Sequence, residues 1–172
     1  MIRTATTPQS IVIGTFLVLA TLVAAVVPLP LLYRSLGIVL FSYLSFAMAG
    51  LPYAFVAALV APPLGLISGD PGWLVMLPVV LSSNLLAMLG LELTWRYPAA
   101  VISPLLLITP QVFVMQVSKQ SLFSVQLPWE PNVGVWISLH TLVALAGMLI
   151  AIYLDRRRDK TTRPTTSERP VT

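Results

Sequence analysis

Long apolar stretches alternate along the chain with short breaks that contain proline, glycine or charged residues. The breaks predict six helices, at about residues 11–28, 35–49, 52–67, 71–91, 98–117 and 133–154. The last stretch is apolar almost throughout, and at about 1.5 Å per residue it makes a helix of roughly 33 Å, enough to cross the hydrocarbon of a bilayer. The pattern therefore predicts an all-α integral membrane protein, a compact bundle of six transmembrane helices within residues 1–155.

A few residues predict where these helices begin and end. The apolar run that covers the second and third helices is too long for one span, and Gly50 supplies the break that divides it. Asp70 and Asn132 precede helices as N-caps, because their side-chain oxygens can accept hydrogen bonds from the first free amides. The segment 156–172 is rich in basic residues, threonine and proline, which predicts a basic, disordered cytoplasmic tail.

Composition excludes an ordinary water-soluble domain. Hydrophobic residues make up 57% of the chain and charged residues only 9%, whereas about a quarter of a soluble domain is charged. The mean hydropathy of +0.90 leads to the same conclusion. The chain has no cysteine, which excludes disulfides, thiolate metal sites and cysteine nucleophiles.

Charge predicts the orientation of the bundle. The net charge of +4 is concentrated at the C-terminal end, and the positive-inside rule places that end in the cytoplasm. Six helices then put both termini on the cytoplasmic side of the cell inner membrane. Five helices with an outer N-terminus satisfy the rule equally well, but the segment lengths favour six. The excess of basic over acidic residues reflects this topology and attraction to anionic lipid, so no nucleic-acid partner is expected.

The outer ends of the predicted helices carry aromatic rings with sparse amide, imidazole and charged groups, and one further amide lies in the middle of the fourth helix. In this topology the outer groups converge on one side of the membrane, where they suit a small polar or heteroaromatic ligand. Trp136 and His140, four residues apart in the sixth helix, share one helix face. The candidate ligand-binding residues are Arg34, Trp73, Asn84, Gln111, Gln116, Lys119, Trp129, Glu130, Trp136 and His140.

Each candidate residue also has a structural explanation. Tryptophans are common at membrane interfaces, and Asn84 or His140 could bridge two helices by hydrogen bonds. The connection 118–131 is long for this chain, which predicts a lid over the ligand. No metal cluster, no nucleophile with an evident base and no nucleotide-binding loop stands out in the sequence. We therefore expect no enzymatic activity and no cofactor, and any ATP-driven role requires other subunits.

Six short helices, the pair Ala20-x-x-x-Ala24 in the first helix and the segment 57–69 before the fourth resemble the substrate-binding S component of energy-coupling factor (ECF) transporters. The resemblance implies a subunit that binds a vitamin-like nutrient near the outer surface. Its implied partners are a transmembrane coupling protein and two cytoplasmic ATPases. Ala20 and Ala24 would then contact the coupling protein, although such a pair also suits packing against a helix of the same chain.

The chain is also similar to the rod-shape-determining MreD family in length, in helix number and in the turn at 65–69. This second resemblance implies a membrane scaffold of the cell-wall elongation machinery, with cell-wall elongation proteins as partners and no transport activity. The polar groups at the outer ends favour a binding protein, because a scaffold should tolerate their loss.

Overall fold

A computed structural model of the protein describes residues 7–94, 99–119, 128 and 132–162. This part of the chain folds into six α-helices and contains no β-strand, which confirms the predicted all-α class. A short 3-10 helix, Gly65–Ser68, extends the third α-helix. The α-helices are α1 (Pro8–Val26), α2 (Leu31–Ala49), α3 (Leu51–Leu64), α4 (Pro71–Leu93), α5 (Ala99–Lys119) and α6 (Val133–Thr162).

Within the described residues, five helical segments are long and apolar enough to cross a membrane. They are α1, α2, α4, the first part of α6 and α3 together with its 3-10 extension. The described part of α5 adds a shorter apolar helix, Val101–Val117. This is the pattern of a multi-pass membrane protein.

Local chemistry marks three helix boundaries at the predicted positions. Gly50 separates α2 from α3 with a φ of 96°, a conformation that residues with a side chain rarely adopt. Oδ1 of Asp70 accepts a hydrogen bond from the amide of Gly72 at 2.9 Å, and Oδ1 of Asn132 accepts one from the amide of Val135 at 2.9 Å. Both predicted N-caps are therefore confirmed.

Two helices extend four or more residues beyond their predicted bounds. Helix α2 begins at Leu31, directly after Pro30, so residues 31–34, outside the predicted helix, form its first helical turn. Helix α6 continues to Thr162, through residues 156–162 of the predicted tail. Arginine and lysine are good helix formers, and cations at the C-terminal end interact favourably with the helix dipole. Residues 163–172, the rest of the predicted tail, lie outside the described residues.

Helix α2 lies at the centre of the bundle. It packs against α1, α3 and α6, while α4, α5 and α6 pack side by side around it. Gly147 of α6 allows a close approach to α2, because a Cβ there would lie 2.8 Å from the Cβ of Tyr43. We call the end where α2, α4 and α6 begin the upper end of the bundle, and the opposite end the lower end.

The outer surface of the bundle carries many large apolar side chains. On α1 alone, five are between 46% and 69% exposed: Ile11, Val12, Phe16, Leu19 and Val23. A further set lies on α6: Leu142, Leu145, Leu149, Ile150 and Tyr153. Monomeric water-soluble proteins rarely expose so many large apolar side chains, whereas a lipid-facing surface requires them.

Candidate functional site

Arg34 is a buried cation at the upper end of the bundle, in the first turn of α2. Its Nε and Nη2 donate to the carbonyl oxygen of Ala25 at 2.9 and 2.5 Å, and Nη2 also donates to that of Gly65 at 2.8 Å. Its Nη1 lies 3.3 Å from Oδ2 of Asp70. The last carbonyls of an α-helix have no intrahelical partner, so the guanidinium satisfies that of Ala25 in α1. It also bonds the first residue of the 3-10 extension of α3 and pairs with the cap of α4.

Trp73, in the first turn of α4, packs beneath this guanidinium. The Cζ atom of Arg34 lies 4.3 Å from the centroid of the indole ring, and Nε1 of Trp73 donates to the carbonyl oxygen of Pro62 at 2.7 Å. A Cβ at Gly65 would overlap the indole, so only glycine allows this approach. Arg34 and Trp73, both predicted to contact ligand, are thus buried in the wall of the upper end, where their polar groups bond within the chain.

A cavity of about 730 Å³ opens at the upper end beside this cluster. Its volume is in the range of small-molecule binding sites. Its described lining consists of Pro30, Leu31, Leu32, Tyr33, Asp70, Gly72, Pro128 and Trp136. Tyr33 is 61% exposed and the side chain of Asp70 is 35% exposed, whereas Trp136 is only 1% exposed. Tyr33 and Asp70 are therefore the polar side chains that a ligand can reach, and Trp136 forms part of the cavity floor.

His140 lies one turn further into the bundle than Trp136, on the same face of α6. The two rings stack with their centroids 4.8 Å apart. Nδ1 of His140 lies 2.9 Å from the carbonyl oxygen of Trp136, and Nε2 lies 2.8 Å from Oγ of Ser35 in α2. A carbonyl only accepts, so we assign the proton to Nδ1 and let Nε2 accept from the serine hydroxyl. His140 thus bridges α2 and α6 and supports the indole of the cavity floor.

Asn84 replaces a hydrogen bond that a proline removes. Pro62 has no amide hydrogen, so the carbonyl oxygen of Ala58, four residues earlier in α3, has no partner from its own helix. Nδ2 of Asn84, in α4, lies 3.4 Å from that oxygen and donates to it. Asn84 is buried away from the upper cavity, and its amide bridges two helices.

Asn84→Leu should lower the free energy of unfolding by about 1 kcal/mol, because the carbonyl oxygen of Ala58 loses its donor. In a Pro62→Ala background the restored helix amide can bond that oxygen, so the same substitution should cost less. A double-mutant cycle, followed by detergent unfolding, measures this coupling. A cost that is equal in the two backgrounds contradicts the assignment.

Of the remaining candidate ligand residues, Gln111 and Gln116 do not line the described cavity. Gln111 is buried in α5 and its Nε2 lies 3.4 Å from the carbonyl oxygen of Leu107, whereas Gln116 is exposed. Trp129, Glu130 and the side chain of Lys119 lie outside the described residues, as does most of the predicted lid at 118–131. Of the candidates that are described, only Trp136 lines the cavity directly.

Ala20 and Ala24, the pair of small residues in α1, are partly buried. A Cβ on Gly37 of α2 would lie 3.3 Å from the Cβ of Ala24, so this alanine faces a helix of its own chain. Ala20 is also of intermediate exposure. An apolar groove of about 380 Å³ runs between α1 and α3 and is lined by Thr15, Val18, Leu19, Pro52, Tyr53 and Val56.

Sequence reasoning missed three polar residues that bridge helices. One is Ser35, the partner of His140. The others are Tyr43 in α2, whose hydroxyl lies 2.6 Å from Oγ of Ser103 in α5, and Ser103 itself, which donates to the carbonyl oxygen of Ala87 in α4 at 2.8 Å. Single hydroxyls within apolar helices were the available signal, but nothing in the sequence pairs them.

Among the described residues, no group of three His, Cys, Asp or Glu side chains could hold a metal ion. Comparison with protein families, with curated proteins and with solved structures gives no match for this chain.

Proposed function

We propose that this protein is the substrate-binding membrane subunit of an ECF-type, ATP-driven uptake transporter, with six spans and both termini in the cytoplasm. It binds a small, vitamin-like nutrient in the upper cavity. A transmembrane coupling protein and two cytoplasmic ATPases then drive its delivery into the cell.

The two ends of α6 support this orientation. Trp136, in its first turn, lies at the cavity, and Arg156 and Arg157 extend its far end beyond the apolar stretch. The positive-inside rule keeps such a basic cluster in the cytoplasm. The cavity then opens on the outer side, where a nutrient arrives.

The observation that carries the proposal is the composition of the cavity wall. Exposed Tyr33 and Asp70 reach into a space large enough for a small organic molecule. Behind them, the bonds of Arg34 join the ends of three helices, and the stacked Trp136 and His140 form a supported floor. A rigid wall with a few accessible aromatic and charged groups lowers the entropic cost of binding a ligand.

A scaffold of the cell-wall elongation machinery, similar to MreD, is the second candidate. It is favoured by the fact that Arg34, Asn84 and His140 all make hydrogen bonds within the chain. Groups whose hydrogen bonds are made internally stabilise a bundle whether or not a ligand binds.

Purification of the tagged protein from its native membrane, followed by mass spectrometry of proteins and small molecules, distinguishes the two candidates. A transporter subunit should carry a coupling protein, two ATPases and a bound small molecule. Cell-wall elongation proteins, in the absence of ATPases, would identify a scaffold instead.

Tyr33→Ala should reduce the co-purified small molecule by about fivefold or more, because it removes the most exposed aromatic ring of the cavity. The amount of partner proteins should not change. Tyr153→Ala is the matched control, since Tyr153 is 52% exposed near the far end of α6. Equal loss of the small molecule in both variants would contradict the cavity as its site.

A further inference from the structure

We infer that the upper cavity selects an organic cation, such as a protonated amine or a cationic nitrogen heterocycle with an apolar body. The inference rests on the proposed function and specifies the substrate class. It follows from which charged side chains of the wall are exposed to the cavity and which are buried.

The positive charge of the wall is shielded from the cavity. Arg34 is 1% exposed, and three of its four hydrogen bonds go to the carbonyl oxygens of Ala25 and Gly65. One face of its guanidinium is covered by Trp73. A ligand in the cavity cannot reach this cation without displacing the groups around it.

The negative charge is accessible. The side chain of Asp70 is 35% exposed and lines the cavity. Its Oδ1 accepts from the amide of Gly72, and Oδ2 is 3.3 Å from Arg34, a long separation for a charge-assisted hydrogen bond. Each carboxylate oxygen can accept two hydrogen bonds, so both keep capacity for a ligand donor. An approaching ligand therefore meets a carboxylate before it meets the guanidinium.

Tyr33 adds the second element of cation recognition. Its ring is 61% exposed and lines the same cavity as Asp70. The negative face of an aromatic ring attracts an ammonium or iminium group, and a neighbouring carboxylate adds to this attraction. Among the described lining residues Asp70 carries the one full charge, and the others are apolar, aromatic or glycine. None of these described lining residues offers an anionic ligand a positive charge.

Three probes of similar shape test the inference on the full-length protein in detergent: benzylamine, which is a cation at neutral pH, neutral benzyl alcohol and anionic benzoate. Ligand-observed NMR, with protein-free micelles as the blank, measures the affinity of each. We expect benzylamine to bind at least about tenfold more tightly than benzyl alcohol, and benzoate to bind most weakly.

Variants of the wall separate charge from shape. Asp70→Asn keeps a side-chain oxygen for the cap of α4 but should remove most of the preference for the cation. Tyr33→Phe keeps the aromatic ring and should retain the preference, whereas Tyr33→Leu keeps apolar bulk without a ring and should reduce it by about fivefold. If Asp70→Asn fails to fold, the comparison of Tyr33→Phe with Tyr33→Leu still tests the cation preference, because Tyr33 is exposed and both variants should fold.

Different results would overturn the cation assignment and the proposed function. Equal affinity for all three probes, or equal preference in Tyr33→Phe and Tyr33→Leu, overturns the cation assignment and leaves a cavity that binds small molecules. No binding of any probe at millimolar concentration also overturns it. The proposed function fails separately, if the native purification yields neither ATPases nor a small molecule.

Discussion

Arg34→Ala should be strongly destabilising, with a loss of about 3 to 5 kcal/mol in the free energy of unfolding. The substitution removes four hydrogen bonds that one buried side chain makes to Ala25, Gly65 and Asp70. It also leaves a space above Trp73 and removes the counter-charge of Asp70. The ends of α1 and α3 and the start of α4 are then no longer joined.

Detergent titration of the purified protein, followed by far-UV circular dichroism, measures this loss. Arg34→Lys should fall between wild type and alanine, because an ammonium keeps the charge but cannot reproduce the planar fork of donors. Arg156→Ala is the control for removal of an exposed arginine, and we expect it to change the free energy of unfolding by less than about 0.5 kcal/mol. If Arg34→Ala were as stable as Arg156→Ala, the role assigned to the cluster would be wrong.

Gly147→Val should lower the free energy of unfolding by about 3 kcal/mol, because it forces α2 and α6 apart. A Cβ at this position would lie 2.8 Å from the Cβ and 3.1 Å from the Cγ of Tyr43. Those atoms are close to the backbone of α2 and cannot turn away as the end of a flexible side chain could. Separation of the helices also stretches the contact between Ser35 and His140, 2.8 Å long, under the floor of the cavity.

The neighbouring residue provides a matched control for Gly147→Val. Ala146 is exposed on the same helix, so Ala146→Val adds a β-branched side chain without meeting α2. We expect Ala146→Val to unfold at nearly the detergent concentration of wild type, and Gly147→Ala to lie between the two. Equal stability of Gly147→Val and Ala146→Val would show that the approach of α2 and α6 is less close than described.

Local chemistry allowed the helices to be predicted from the sequence. The lengths of the apolar runs predict six helices, and Gly50, Asp70 and Asn132 mark breaks and caps that depend only on nearby backbone. The end of α6 was predicted less well, because the change from apolar to basic residues marks the end of the membrane-spanning part and not the end of the helix. Charged residues can continue a helix into water.

The candidate site was only partly predictable. Sequence alone identified aromatic, charged and amide groups at the upper ends of the helices, and Trp136 does line a cavity there. It could not separate the groups that face the cavity from those that hold the bundle together. Arg34 and His140 were predicted as ligand contacts, but the structure shows them bonded to Gly65 and Ser35, which lie 31 and 105 residues away in the chain.

The helices, most of their ends and the apolar class of the protein thus follow from the order of residues along the chain, because they depend on run length and on contacts within a few residues. Which side of each helix is buried depends instead on how the helices pack together. Helices that are apolar on nearly every side have no polar stripe to mark the outer face, so the sequence leaves their rotation open. Close packing at Gly147 and pairing of scattered polar groups such as Tyr43 and Ser103 select one arrangement of the bundle.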